Sequence, residues 1–141
     1  MMKKIALIII LSLTTVAGAL LCGCVRDSMK FTDFKQYKSF DKNVEYIEVG
    51  WDVGEFELVN FTINEQSTVQ EIINYYSQAE FKKKEAVDGS RSEIRFVYNS
   101  GDKLIVGLSQ LIENKQYYGY VDNSIYYRIK EIGVKKGVIN L

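Results

Sequence analysis

Hydrophobic and polar positions fall into five successive stretches along this chain, and the rhythm of each predicts its element. Residues 5–21 are uncharged and mostly apolar behind Lys3 and Lys4. Residues 25–43 are polar, with Phe31, Phe34, Tyr37 and Phe40 set three apart. Three-residue spacing drifts around an α-helix, so this stretch predicts a tether whose rings dock on the edge of a domain. From Val44 the pattern alternates. Val44 and Tyr46 keep one phase, then Ile47, Val49 and Trp51 keep the other. The same slip separates Phe56 and Leu58 from Val59, Phe61 and Ile63. One extra residue flips every later side chain, so both slips predict β-bulges in a pair of antiparallel strands turning at 50–54.

Val69, Ile72, Ile73, Tyr76 and Ala79 then recur at intervals of three and four, which predicts one amphipathic helix. Asn64 or Ser67 would cap it, and Lys82, Lys83 and Lys84 would be its solvated C-terminal end. Period two returns afterwards. Ile94, Phe96 and Tyr98, then Leu104, Val106 and Leu108, predict a hairpin around Asn99 to Asp102. A reversal at Glu113 to Lys115 leads into a strand at 116–121. Asp122 and Asn123 predict a tight turn into a last strand at 124–131, with Ile125, Tyr127 and Ile129 facing the helix. The expected fold class is α+β: a single helix packed on one face of an antiparallel sheet of about five to six strands, in the order strand, strand, helix, four-strand meander. After it, Ile132 and Val134 would form a short edge strand.

The leader changes the picture most. A basic start, an apolar run and the exit Leu21-Cys22-Gly23-Cys24 have the layout of an export signal. Those four closing residues resemble the lipobox of bacterial lipoproteins. By that resemblance the signal ends at residue 23, the thiol of Cys24 is acylated, and the lipid holds the chain on the extracytoplasmic face of the cell membrane. The expected organisation is then a signal peptide at 1–23, a lipid-anchored tether at 24–43 and one globular domain at 44–141. The element order is also similar to small uncharacterised α+β domains of such lipoproteins, a likeness that implies no activity. The alternative for the leader is an uncleaved anchor. Residues 5–25 would reach roughly 31 Å as a helix, enough to span a bilayer.

Composition narrows the chemistry. Removing 23 of the 141 residues leaves 118, enough for one domain with a real core. Without Lys3 and Lys4 the 18 basic residues become 16 against 18 acidic, a net charge of −2. That offers no footprint for nucleic acid. Histidine is absent, and both cysteines lie at the end of the leader. The commonest general base and the commonest soft-metal ligands are therefore missing from the domain, and no cofactor, metal site or catalytic residue is expected. Glu55 and Glu57 share a strand face and are read as a solvated outer surface.

A non-catalytic binding module remains the expectation, with the membrane reached through the lipid and a protein or cell-wall partner. Its candidate surface is Tyr118, Tyr120, Tyr126 and Arg128, placed by alternation on the outward face of the meander. The other readings are a small enzyme working through carboxylates or tyrosine, and an inhibitor or self-protection factor directed at a secreted hydrolase.

Overall fold

The computed structural model describes residues 28–40, 43–55, 57–86 and 89–140. The leader, Cys24 and the first part of the tether lie outside the described residues. The elements run β1 (Met29–Lys30), two 3-10 turns (Phe31–Asp33 and Lys35–Tyr37), β2 (Val44–Gly54), β3 (Glu57–Ile63), α1 (Gln66–Gln78), β4 (Glu80–Lys84), β5 (Glu93–Tyr98), β6 (Lys103–Gly107), β7 (Leu111–Glu113), β8 (Gln116–Tyr120) and α2 (Ser124–Lys135). The class is α+β, as the pattern predicts. The arrangement within it differs. The described strands form two four-stranded antiparallel sheets, β3-β2-β5-β6 and β1-β4-β8-β7, and a second helix stands where the meander was to close.

The first phase slip is a bulge. The second, expected between Leu58 and Val59, is not, since those residues stay in register with Asp52 and Trp51 and the second bulge lies in β2 instead. Against β5, the register of β2 shifts between Val44 and Tyr46, and against β3 it shifts between Asp52 and Gly54. Ile47, Val49 and Trp51 are thereby brought to the core side together. The turn comes later than expected, because β2 continues to Gly54, and Gly54 (φ 93°) and Glu55 (φ 52°) both take the left-handed region. The 99–102 hairpin and the reversal after β7 fall where predicted. Asn114 and Lys115 both have positive φ, the backbone that a two-residue hairpin turn matched to strand twist requires.

Helix α1 buries the predicted face, with Val69, Ile72, Ile73 and Tyr76 all at 0% exposure. Its N-cap is Glu65, ahead of Ser67, and the Glu65 carboxylate accepts hydrogen bonds from Ser67 Oγ and Thr68 Oγ1, each at 3.0 Å. The lysine run does not end this helix. Helix α1 stops at Gln78, and Lys82, Lys83 and Lys84 belong to β4, which pairs with β8 from Phe81↔Tyr120 to Lys84↔Tyr117. Phe81 decides this, since as a strand residue it buries its whole ring between Phe34 and Tyr120.

The segment read as a tether enters the core. A spacing of three is the period of a 3-10 helix, and two successive 3-10 turns carry Phe31, Phe34 and Tyr37 inward. Phe31 stacks on Tyr37 (4.4 Å between ring centres) and packs against Tyr76 of α1 at 4.9 Å. The folded unit therefore begins by Met29, which pairs with Phe81.

Helix α2 replaces the strand expected at 124–131. Its start uses the residues assigned to a hairpin turn: Asp122 Oδ1 accepts from the Ser124 amide at 2.8 Å and Oδ2 from Ser124 Oγ at 2.9 Å. Ile125, Ile129, Ile132 and Gly133 form its buried stripe. The expected edge strand at Ile132 and Val134 is part of this helix. It ends in a paired C-cap, with the Gly137 amide donating to Val134 O and the Val138 amide to Gly133 O, and Gly137 at φ 71°. The chain then turns back so that Ile139 packs on the bare backbone of Gly133.

Candidate functional site

The four residues expected to share an outward face do not share one. In β8, Tyr118 and Tyr120 point inward and Tyr117 points outward, because Tyr118 pairs with buried Leu111 and Tyr120 with buried Phe81. Tyr118 lies edge-on to Phe34 at 5.0 Å. Tyr120 is 8% exposed, and its hydroxyl donates to Gly107 O at 2.6 Å while lying 3.0 Å from the hydroxyl of Tyr76. A phenol has one proton, so with Tyr120's committed to the carbonyl, Tyr76 is the donor in that pair. Burial pushes both phenols well above their ordinary pKa.

Tyr126 and Arg128 lie on opposite flanks of α2. Tyr126 packs over Trp51 at 4.8 Å, and burial raises its pKa, with Tyr127 and Asp52 adding to the effect. Tyr127, expected to face the helix, is instead 69% exposed. Arg128 turns toward α1, where Nε and Nη2 reach the two carboxylate oxygens of Glu71 at 2.8 and 2.9 Å, and Nη1 reaches Glu131 at 3.0 Å. These hydrogen bonds hold its charge beyond the usual guanidinium range. The physical reason for the dispersal is the period of the element. Residues 126 and 128 are on one side of a strand but about 200° apart on a helix.

Arg128 marks a concave feature all the same. A cleft of about 390 Å³ runs between α1 and the start of α2, lined by Glu71, Asn74, Tyr75 and Gln78 opposite Ser124 and Arg128. A second, of about 300 Å³, shares Tyr75 and Gln78 and continues past Val121 and Asp122 to Glu80. The Tyr75 hydroxyl donates to the backbone carbonyl of Asp122 and tethers the two walls. Its pKa is raised by burial and by the neighbouring Asp122 carboxylate. The amides of Asn74 and Gln78 make no hydrogen bond with any described residue, and Val121 is half exposed. The groove thus offers unspent donors and acceptors, a paired cation, an aromatic wall and an apolar spot.

Asn74, Tyr75 and Gln78 were not singled out from the sequence, although Glu71, Asn74, Tyr75 and Gln78 repeat at i, i+3, i+4 and i+7. That polar stripe beside the apolar one was the available signal; its meaning depended on α2 lying opposite. Among the described residues no three or more carboxylate, Cys or His side chains converge as a metal site, and no helix is long and apolar enough to cross a membrane. Comparison with protein-family models, with curated proteins and with solved structures finds no match to this chain.

Proposed function

We propose that this chain is a lipid-anchored binding module, held through Cys24 on the extracytoplasmic face of the cell membrane. The groove beside α1 takes a segment of an envelope or secreted protein, or of a wall polymer. The observation that carries the reading is the pair of amides, Asn74 and Gln78, presented without partners in a preformed groove beside Arg128. Polar groups of this kind, fixed on a helix and flanked by a tyrosine, give orientation to a bound chain at small entropic cost. The ionisation states support binding over proton transfer. The Tyr75 and Tyr120 phenols are held protonated, and the carboxyl of Glu131 is held below its ordinary value by Lys135 and Arg128.

The test places a photo-crosslinking residue at Asn74 or Gln78 of the full-length chain in its native envelope. Adducts of a discrete mass are expected from these positions and not from Glu57 or Lys103 on the other sheet. Adducts that form equally from all four positions, or from none, refute the groove as the binding site.

A further inference from the structure

The charges of this molecule are segregated. In the half built from β2, β3, β5, β6 and α2, most cations are neutralised: Arg91 by Asp52, Arg95 by Glu93 and Glu48, Lys103 by Glu48, Arg128 by Glu71 and Glu131, and Lys135 by Glu131. In the half built from β1, β4, β7 and β8, Lys30, Lys35, Lys82, Lys83, Lys84 and Lys115 form no ion pair with any described carboxylate. Here three of the carboxylates are bonded elsewhere. Glu80 accepts from Ser28 Oγ, Asp33 from the Lys30 amide and Glu113 from the Lys35 amide.

Strand register places part of this charge on a face that no helix covers among the described residues. Phe81, Tyr118 and Tyr120 point to the core, so Lys82 and Lys84 project from the opposite side of β4, with Lys30 opposite Glu80 on the same side. Tyr117 lies across from Lys84, and Ile112, 48% exposed, lies across from Tyr117. Between them Gly119 leaves a gap over which the stem of Lys84 lies flat, so close that a β-carbon there would stand 2.9 Å from Lys84 Cδ. Lysines with apolar stems, a tyrosine ring and an isoleucine on one flat surface are the composition of a membrane–water interface.

We infer that this outer sheet face docks on anionic lipid headgroups of the membrane that holds the chain. The inference rests on the lipid-anchor reading above. Met29 lies only five positions after Cys24, a span of at most about 18 Å. Because β1 is the edge strand of this sheet, an acyl chain on Cys24 keeps the lysine face within a few headgroup widths of the bilayer. The unpaired cations then sit where the surface potential attracts them, and the neutralised half of the domain, with α2, faces away.

The experiment uses the full-length chain purified in detergent and reconstituted into vesicles of phosphatidylglycerol and phosphatidylcholine, or of phosphatidylcholine alone. A water-soluble amine-reactive label followed by peptide mass analysis reads the reactivity of each lysine, and the N-terminal peptide mass reads acylation of Cys24. With Cys24 acylated, Lys30 and Lys82 should lose about fivefold or more of their reactivity in the anionic vesicles alone. Lys103 and Lys136 should not change, and about 1 M salt should restore the loss. Acylated protein whose Lys30 and Lys82 stay as reactive as Lys136 overturns the docking and leaves the anchor standing; these lysines then only guard an open sheet edge. Equal protection by soluble polyphosphate in detergent also overturns it, in favour of an anionic polymer. An unacylated Cys24 removes anchor and docking together.

Discussion

Phe34 tests whether residues expected to tether the domain instead hold it together. Its ring is 0% exposed and meets Phe81 edge-on at 5.4 Å, Tyr118 at 5.0 Å and Tyr37 at 6.1 Å. Burying a phenylalanine contributes about 1.5–3 kcal/mol in transfer from water. Each edge-to-face pair adds about 0.5–1.5 kcal/mol, and truncation leaves a cavity between two elements far apart in sequence. Phe34→Ala is therefore expected to cost about 3–5 kcal/mol, against roughly 5–15 kcal/mol for a whole domain. Urea unfolding followed by the fluorescence of Trp51, the single tryptophan and itself buried, reads the change. At about 2 kcal/mol per molar, the midpoint should fall by about 2 M. Exposed Lys38→Ala in the same segment should stay within about 0.5 kcal/mol. A Phe34→Ala loss below about 1 kcal/mol would mean that the 3-10 turns merely rest on the domain, and the argument from ring packing would be wrong.

Other outcomes follow from the same geometry. Tyr120→Phe leaves both Gly107 O and the Tyr76 hydroxyl unpaired and should cost about 2–4 kcal/mol, whereas Tyr76→Phe leaves the bond to Gly107 intact and should cost about 1 kcal/mol less the gain from losing a buried hydroxyl; equal losses would refute the donor assignment. Gly133→Ala should destabilise α2 by about 1–3 kcal/mol despite alanine's better helix propensity, because the new methyl meets Ile139 Cγ1 at 2.8 Å and Phe61 Cε1 at 3.1 Å; thermal denaturation that shows stabilisation sinks the close-packing account. Burial raises the Tyr37 phenol to about 12, so its neutral form favours the fold: that contribution is complete below about pH 10 and is lost as pH rises through 12. Phenolate absorbance should then show a late step coincident with loss of Trp51 fluorescence, and Tyr37→Phe should move unfolding to higher pH. Asp52 has the opposite sign, since amide bonds from Arg91 and Gly54 lower its pKa; its contribution is present above about pH 4 and is lost as pH falls below that, so Asp52→Asn should flatten the acid limb of stability.

Where one local force dominated, the sequence by itself was enough. The α1 face was legible because five apolar residues repeat at a helical interval with no competing period. The bulge between Val44 and Tyr46 was legible because alternation slips beside it, whereas the one between Asp52 and Gly54 was not, the second slip having been read at Leu58 and Val59, which pair without a break. Three features belonged to the tertiary structure. Residues 125–129 satisfy period two through Ile125, Tyr127 and Ile129, and period 3.6 through Ile125, Ile129 and Ile132. Only the bonds from Ser124 to the Asp122 carboxylate at one end and the packing of Ile139 on Gly133 at the other select the helix. That choice separated Tyr126 from Arg128 and dissolved the expected aromatic face. The lysine run suited a helix end as well as a strand, until the partner offered by β8 and the pocket for Phe81 made the strand better. The rings at 31, 34 and 37 have no amphipathic face on an α-helix. On a 3-10 helix they have one, and that conformation is stable here because β4 and α1 supply the surface that buries it.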